Sequence, residues 1–120
     1  MQTQLTVLAA LLFTTLARAD IAYISKSPLY ADERVYVTEG VLAADKRVYF
    51  TENPLAANCI LYLADSYAMA DRRIYLTESL LSATMRVYET NSALGADVIV
   101  YVTKSPLGAQ GDCAYAAALL

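Results

Sequence analysis

A period of 13 residues, kept over seven units, constrains this chain more than any other feature. Tyr23, Tyr36, Tyr49, Tyr62, Tyr75, Tyr88 and Tyr101 follow one another at that spacing. Eight residues after each tyrosine stands an alanine: Ala31, Ala44, Ala57, Ala70, Ala83, Ala96 and Ala109. Six residues after it stands a leucine, except in the fourth unit, where Ala68 takes the place. The column after alanine is acidic or amide in Asp32, Asp45, Asn58, Asp71 and Asp97, with Thr84 and Gln110 as exceptions. A period held over this many units marks a repeat architecture, in which each unit buries its apolar face against others.

Each unit divides into a strand and a turn. Arg34-Val35-Tyr36-Val37-Thr38, Arg47-Val48-Tyr49-Phe50-Thr51 and Arg73-Ile74-Tyr75-Leu76-Thr77 are rich in β-branched and aromatic residues and read as strands. Ser27-Pro28-Leu29 and Asn53-Pro54-Leu55 put a capping residue before proline and leucine, which suits one helical turn. The expectation is that this turn buries its leucine and small alanine against the strands. The fold class is therefore mainly β with short helical turns.

About eight residues connect one strand to the next. A parallel crossover in a flat sheet takes a dozen or more, so ordinary βαβ winding does not fit. The units either stack as an open β-solenoid or wrap into a closed ring. An open stack needs polar, atypical ends. Here a strand begins at Ile21, and the chain finishes Ala116-Ala117-Ala118-Leu119-Leu120, so a closed ring is favoured.

The run V-Y-x-x-x-S-x-x-x-A-D, repeated every 13 residues as in Val35-Tyr36 through Asp45, where Gly40 takes the serine's place, resembles the bacterial septoil-knot domains. The resemblance covers residues 21–113 and implies seven strand-turn units closed into a knotted ring with seven crossings. It implies no established activity and no functional residue.

Within each strand the residues before and after tyrosine share one face and are apolar, with Glu89 the exception. Tyrosine shares the other face with Thr, Ser or Ala, and in four units with an arginine: Arg34, Arg47, Arg73 and Arg86. Two largely apolar faces predict strands covered on both sides, with the tyrosine rings buried between layers and their hydroxyls near the surface. The alternative is an exposed aromatic stripe that binds a partner.

Residues 1–19 read as a secretory signal peptide: Leu5 to Leu16 is apolar but for threonines and is followed by Ala17-Arg18-Ala19, an A-x-A cleavage pattern. The apolar run is too short to span a bilayer. Cleavage would leave one domain, 20–120, in the periplasm or outside the cell, with a formal charge of −4 once Arg18 is lost. Both signs are scattered through the repeats, which argues against nucleic acid as a partner.

The chain has no histidine, which removes Ser-His-Asp and Cys-His catalysis and His-containing zinc sites. No glycine-rich phosphate loop occurs among its four glycines. Cys59 and Cys113 are the only cysteines, and in an exported chain they are expected to form a disulfide. Its loop of about 54 residues implies up to about 4 kcal/mol from restricting the unfolded chain. Two cysteines alone do not make a structural zinc site.

The Asp column and Glu39, Glu52 and Glu78 lack the spacing of a calcium loop, so capping and salt bridges to arginine explain them better. A threonine ladder of the ice-binding kind is poorly matched, because Ala64 interrupts Thr38, Thr51, Thr77, Thr90 and Thr103. No cofactor is indicated. The expected function is a non-enzymatic structural or interaction module. The alternative is binding of a glycan or cell-wall polymer through exposed tyrosines. A partner is then a protein or a glycan, of unknown identity. An enzyme working through a carboxylate pair ranks last, since a repeat yields rows instead of one special pair.

Overall fold

The seven β-rich segments each form a strand that ends one residue past its tyrosine: β1 (Ile21–Ile24), β2 (Glu33–Val37), β3 (Lys46–Phe50), β4 (Cys59–Leu63), β5 (Arg72–Leu76), β6 (Met85–Glu89) and β7 (Val98–Val102). The computed structural model describes residues 19–120, so the expected signal peptide lies, apart from Ala19, outside the described residues. Between strands come single 3-10 turns, such as Pro28–Tyr30, Val41–Ala43 and Pro54–Ala56. The columns of the repeat make these turns. Thr38, Thr51, Thr77, Thr90 and Thr103 each accept the N–H two residues on, at 3.1–3.3 Å, which bends the chain out of the sheet. Ser27 and Asn53 then cap the turn by accepting from Leu29 and Leu55 at 3.2 and 3.0 Å. Each turn closes where the alanine N–H reaches back, as Ala31 does to the Pro28 carbonyl at 3.3 Å.

All strands are parallel, and their order around the sheet is β1-β4-β7-β3-β6-β2-β5, with β5 pairing back to β1. Every strand therefore has two hydrogen-bonded neighbours. An open solenoid would leave edges; here none exists, as the closed-ring reading required. Consecutive strands lie two places apart in this order, always in the same sense, so the chain circles the ring twice in seven strands. Each connection crosses one intervening strand on the outside. That is the path of a seven-crossing torus.

The register is uniform. Val35 stands opposite Leu76 on β5 and Met85 on β6, and the equivalent offset of two residues recurs at every seam. Offsets of two residues over seven strands amount to a shear of 14, and strands about 4.8 Å apart then tilt by roughly 55°, steeper than the usual 35–45°. The bore widens correspondingly, to a radius of roughly 9 Å.

Two things fill that bore. Ala22, Val35, Val48, Leu61, Ile74, Val87 and Val100 form one complete inward layer, each with no solvent exposure. Against it lies a C-terminal 3-10 helix, Ala114–Leu119, whose Ala114, Tyr115, Ala116, Ala117 and Ala118 are buried in the same cluster. Alanine suits this place because the helix must fit inside seven converging side chains. The tail, which on sequence grounds looked like no cap, is the plug of the ring.

The leucine column is corrected outright. Leu29, Leu42, Leu55, Leu81, Leu94 and Leu107 are 85–99% exposed. Each sits mid-turn on the outer winding, where the chain has already crossed over the sheet and no further layer lies outside it.

Candidate functional site

The exterior carries the first candidate surface. The turn that follows each strand roofs the tyrosine of the strand it crosses. Tyr67, in the turn between β4 and β5, meets the ring of Tyr23 on β1 edge-on at 6.1 Å. Arg73 stacks over Tyr67 at 4.3 Å and also donates to its carbonyl at 3.2 Å. Pro28 and Leu29 line a hollow together with Tyr75 on β5. Tyr23, Tyr36, Tyr49, Tyr62, Tyr75, Tyr88 and Tyr101 are accordingly half-buried. Neither full burial between layers nor an open aromatic stripe describes them: they are spacers between the sheet and the outer winding. Beyond them, the six leucines form a crown on turns that contain no charged residue.

The polar columns are engaged in the fold. Asp32, Asp45 and Asp97 each accept the backbone N–H of an arginine on the neighbouring strand at 2.7 Å; Asn58 and Thr84 do the same for Ile99 and Arg34. Arg47 adds a two-pronged pair with Asp97, at 2.9 and 3.0 Å. That guanidinium pulls the Asp97 carboxyl down to about 2. Arg86 meets Asp45 at 3.2 Å and Arg73 meets Asp32 at 3.7 Å. Asp32, Asp45 and Asp97 thus cap strands and pair with arginine, whereas Glu39, Glu52 and Glu78, expected to do likewise, make no ion pair among the described residues.

Shallow clefts lie where the strands end. One of about 440 Å³ is lined by Tyr49, Phe50, Tyr88, Glu89, Thr90 and Asn91. Another, of about 360 Å³, is lined by Tyr36, Val37, Leu76, Thr77 and Glu78 and is its equivalent one repeat earlier. The repeat places the same groove between neighbouring strands more than once.

The opposite mouth, at the strand starts, holds the most unusual chemistry. Cys59 and Cys113 form the expected disulfide, with Cα atoms 6.3 Å apart. Asp20, only 1% exposed, sets its Oδ2 3.0 Å from Cys59 Sγ and 2.9 Å from Cys113 Sγ, and accepts the Cys113 N–H at 2.8 Å. The joined sulfurs carry no proton, so only a protonated Asp20 can make a hydrogen bond to them. Burial pushes its carboxyl up to about 6, only partly offset by the Cys113 N–H. Its Oδ1 is buried without a partner. Beside it Arg72 lies between Glu33, at 3.4 Å, and Asp112, at 3.3 Å. Burial raises the Glu33 carboxyl, and the Tyr115 phenol is driven by burial and then by the Asp112 charge up to about 12. Sequence reasoning missed Asp20 entirely. It lies in register with Cys59, both three residues before a repeat tyrosine and 39 residues apart, but the column also holds Glu33, Lys46, Arg72, Met85 and Val98, so no shared chemistry marked it, and Cys113 is 93 residues away.

Compared with known proteins, residues 19–110 match the model of the 7(1) septoil knot domain. The chain belongs to the septoil knot domain family. No curated protein and no solved structure matches it. In this septoil knot domain the matched stretch spans all seven strands and stops just before Cys113 and the plug. The 13-residue repeat, the double circuit and the outer turns are thus the family's part of the chain. The Gly111–Leu120 segment, with its cysteine and buried alanines, lies beyond it. Among the described residues no helix is long and apolar enough to cross a membrane.

Proposed function

We propose that this septoil knot domain is a non-enzymatic exported module, structural or partner-binding, and that it meets its partner through the leucine crown. The observation that carries this is the exposure of Leu29, Leu42, Leu55, Leu81, Leu94 and Leu107 at the same place in six units. A leucine at a protein surface is unremarkable alone. Six recurring at equivalent places, on turns that hold no charged residue, make a repeated apolar feature of the outer winding. Asp32, Asp45 and Asp97 are occupied in strand caps and arginine pairs, and Thr38, Thr51, Thr77, Thr90 and Thr103 in turns, which supports a non-catalytic reading. A protein partner fits better than an anionic lipid surface, since Glu39, Glu52, Asp65 and Glu78 precede four of the seven turns while Lys26 and Lys104 precede only two.

The test is photo-leucine incorporation in the native host. Crosslinks to one partner are expected, and they should vanish when Leu42 and Leu55 are changed to serine. Crosslinking that survives replacement of all six crown leucines would overturn the proposal. Export is checked separately, by cell fractionation and by sequencing the mature N-terminus, expected at Asp20.

A second reading is favoured by the two equivalent clefts beside Tyr36 and Tyr49: a polymeric glycan laid across tyrosines that repeat with the strands. Tyr49→Ala would abolish retention on a glycan matrix if this holds, and the crown variants would not.

A further inference from the structure

The mouth of the ring brings together three convergent donors: Asp20 and Cys59, which share the place three residues before a repeat tyrosine, and Cys113 from the C-terminal segment. The carboxylate of Asp20 and the sulfurs of Cys59 and Cys113 have ligand atoms all within 4.8 Å of one another, and all three residues are buried. Two sulfurs and a carboxylate are not calcium or magnesium chemistry; thiolates select zinc or a similar borderline divalent ion. We propose that, when its disulfide is reduced, this protein binds one zinc ion through Cys59, Cys113 and Asp20.

The case rests on how the three residues are held. Reducing a disulfide often frees its cysteines, but here the backbone keeps Cys113 beside Cys59 without the S–S bond. Gln110 and Ile60 exchange two backbone hydrogen bonds of 2.9 Å in an antiparallel bridge. Gly111, at φ +119°, turns the chain so closely over Cys59 that a Cβ there would lie 2.6 Å from its sulfur. The Cys113 N–H is anchored on Asp20 at 2.8 Å, and the plug that begins at Ala114 is buried in the bore. A tetrahedral zinc needs sulfur at about 2.3 Å and oxygen at about 2.0–2.2 Å. With Cα atoms 6.3 Å apart, the sulfurs can part by side-chain rotation alone. The unpartnered Oδ1 of Asp20 is the second pointer, because a nine-tenths buried carboxylate oxygen with nothing to accept from is otherwise an unexplained cost. Zinc would give that carboxylate its counter-charge, and the fourth position is left to water or to Oδ1.

The redox balance is simple. A dithiol gives the S–S bond two electrons and its own two protons and becomes a disulfide; a phosphine gives two electrons and becomes the phosphine oxide, water supplying that oxygen and the two protons that make the thiols. Zinc then displaces both thiol protons and the Asp20 proton to solvent. The same three side chains therefore have two closed states, a disulfide beside a protonated Asp20 and a zinc thiolate beside an ionised one. The redox poise of the compartment selects between them. The inference does not depend on export or on the leucine crown.

The experiment uses the full chain, reduced with a phosphine under anaerobic conditions. It is titrated with zinc against a chromophoric chelator and with cobalt as a spectroscopic probe. One equivalent should bind, with a thiolate-to-cobalt charge-transfer band. The oxidised protein should bind none, Cys59→Ser and Cys113→Ser should each lose the band, and Asp20→Asn should weaken zinc binding by about 10-fold or more. If the reduced chain unfolds, zinc must restore its far-UV spectrum, with Asp20→Asn needing correspondingly more metal. Failure to bind or refold with zinc, or equal affinity of wild type and Asp20→Asn, overturns the proposal.

Discussion

Truncating Tyr115 to alanine tests whether the C-terminal helix really fills the ring. Tyr115 is 6% exposed and packs with the inward layer of Val35, Ile74 and their equivalents. A buried tyrosine removes on the order of 200 Å² from water, worth about 5 kcal/mol at 25 cal/mol per Å². A compact unfolded chain lowers that figure by 10–40%, leaving about 3–4 kcal/mol. The site cannot collapse to recover the loss, because seven hydrogen-bonded seams hold the bore open. The paired control is Leu42→Ala, at a side chain 98% exposed, where no more than about 0.5 kcal/mol should be lost. Urea unfolding followed by far-UV circular dichroism, approached from both the folded and the unfolded side, reads the difference. Tyr115→Ala should lower Tm by roughly 15–25 °C while Leu42→Ala leaves it near wild type. The reasoning is refuted if Tyr115→Ala costs less than about 1 kcal/mol, or if the two variants cost the same.

Asp20 makes stability depend on pH in the disulfide-bonded protein. Its folded value of about 6 lies above the 3.8 of a free aspartate, so its contribution is fully present below about pH 4 and is lost as pH rises through 6. The loss is about 3 kcal/mol, and Asp20→Asn should flatten the stability profile between pH 4 and 7 measured in urea. Gly111→Ala forces a Cβ to 2.6 Å from Cys59 Sγ at φ +119°, and should cost about 1–3 kcal/mol by thermal melting. Thr77→Val deletes the bond to the Ser79 N–H, 3.1 Å long, and should cost about 0.5–1.5 kcal/mol. Every strand pairing joins residues 41 or 50 apart in sequence, so stopped-flow refolding should take milliseconds or longer; microsecond folding would contradict the double circuit.

The strands, the turns and the period were legible because each rests on short-range chemistry. Val35-Tyr36-Val37 favours extended backbone, Thr38 bends it two residues on, and Ser27-Pro28 starts a turn. Ring closure could be argued from the length of the connections and the lack of polar ends. The disulfide followed from there being two cysteines. What a leucine or a tyrosine column faces is another matter, since periodicity reports that equivalent residues share an environment and not which one. Leu42 and Val48 are both apolar, yet one is 98% exposed and the other fully buried. Only the crossing of turns over strands separates an outer winding from an inner layer. The plug was hidden for a related reason: Ala116-Ala117-Ala118 reads as a featureless tail until a two-residue stagger at every seam opens a bore that needs filling. Asp20 met the disulfide only because the ring brings residues 20, 59 and 113 to one mouth. The sequence by itself determined the repeated unit, since that is set by bonds and bends within 13 residues. The tertiary structure decided inside from outside and the company Asp20 keeps, because both depend on contacts between units that no local pattern encodes.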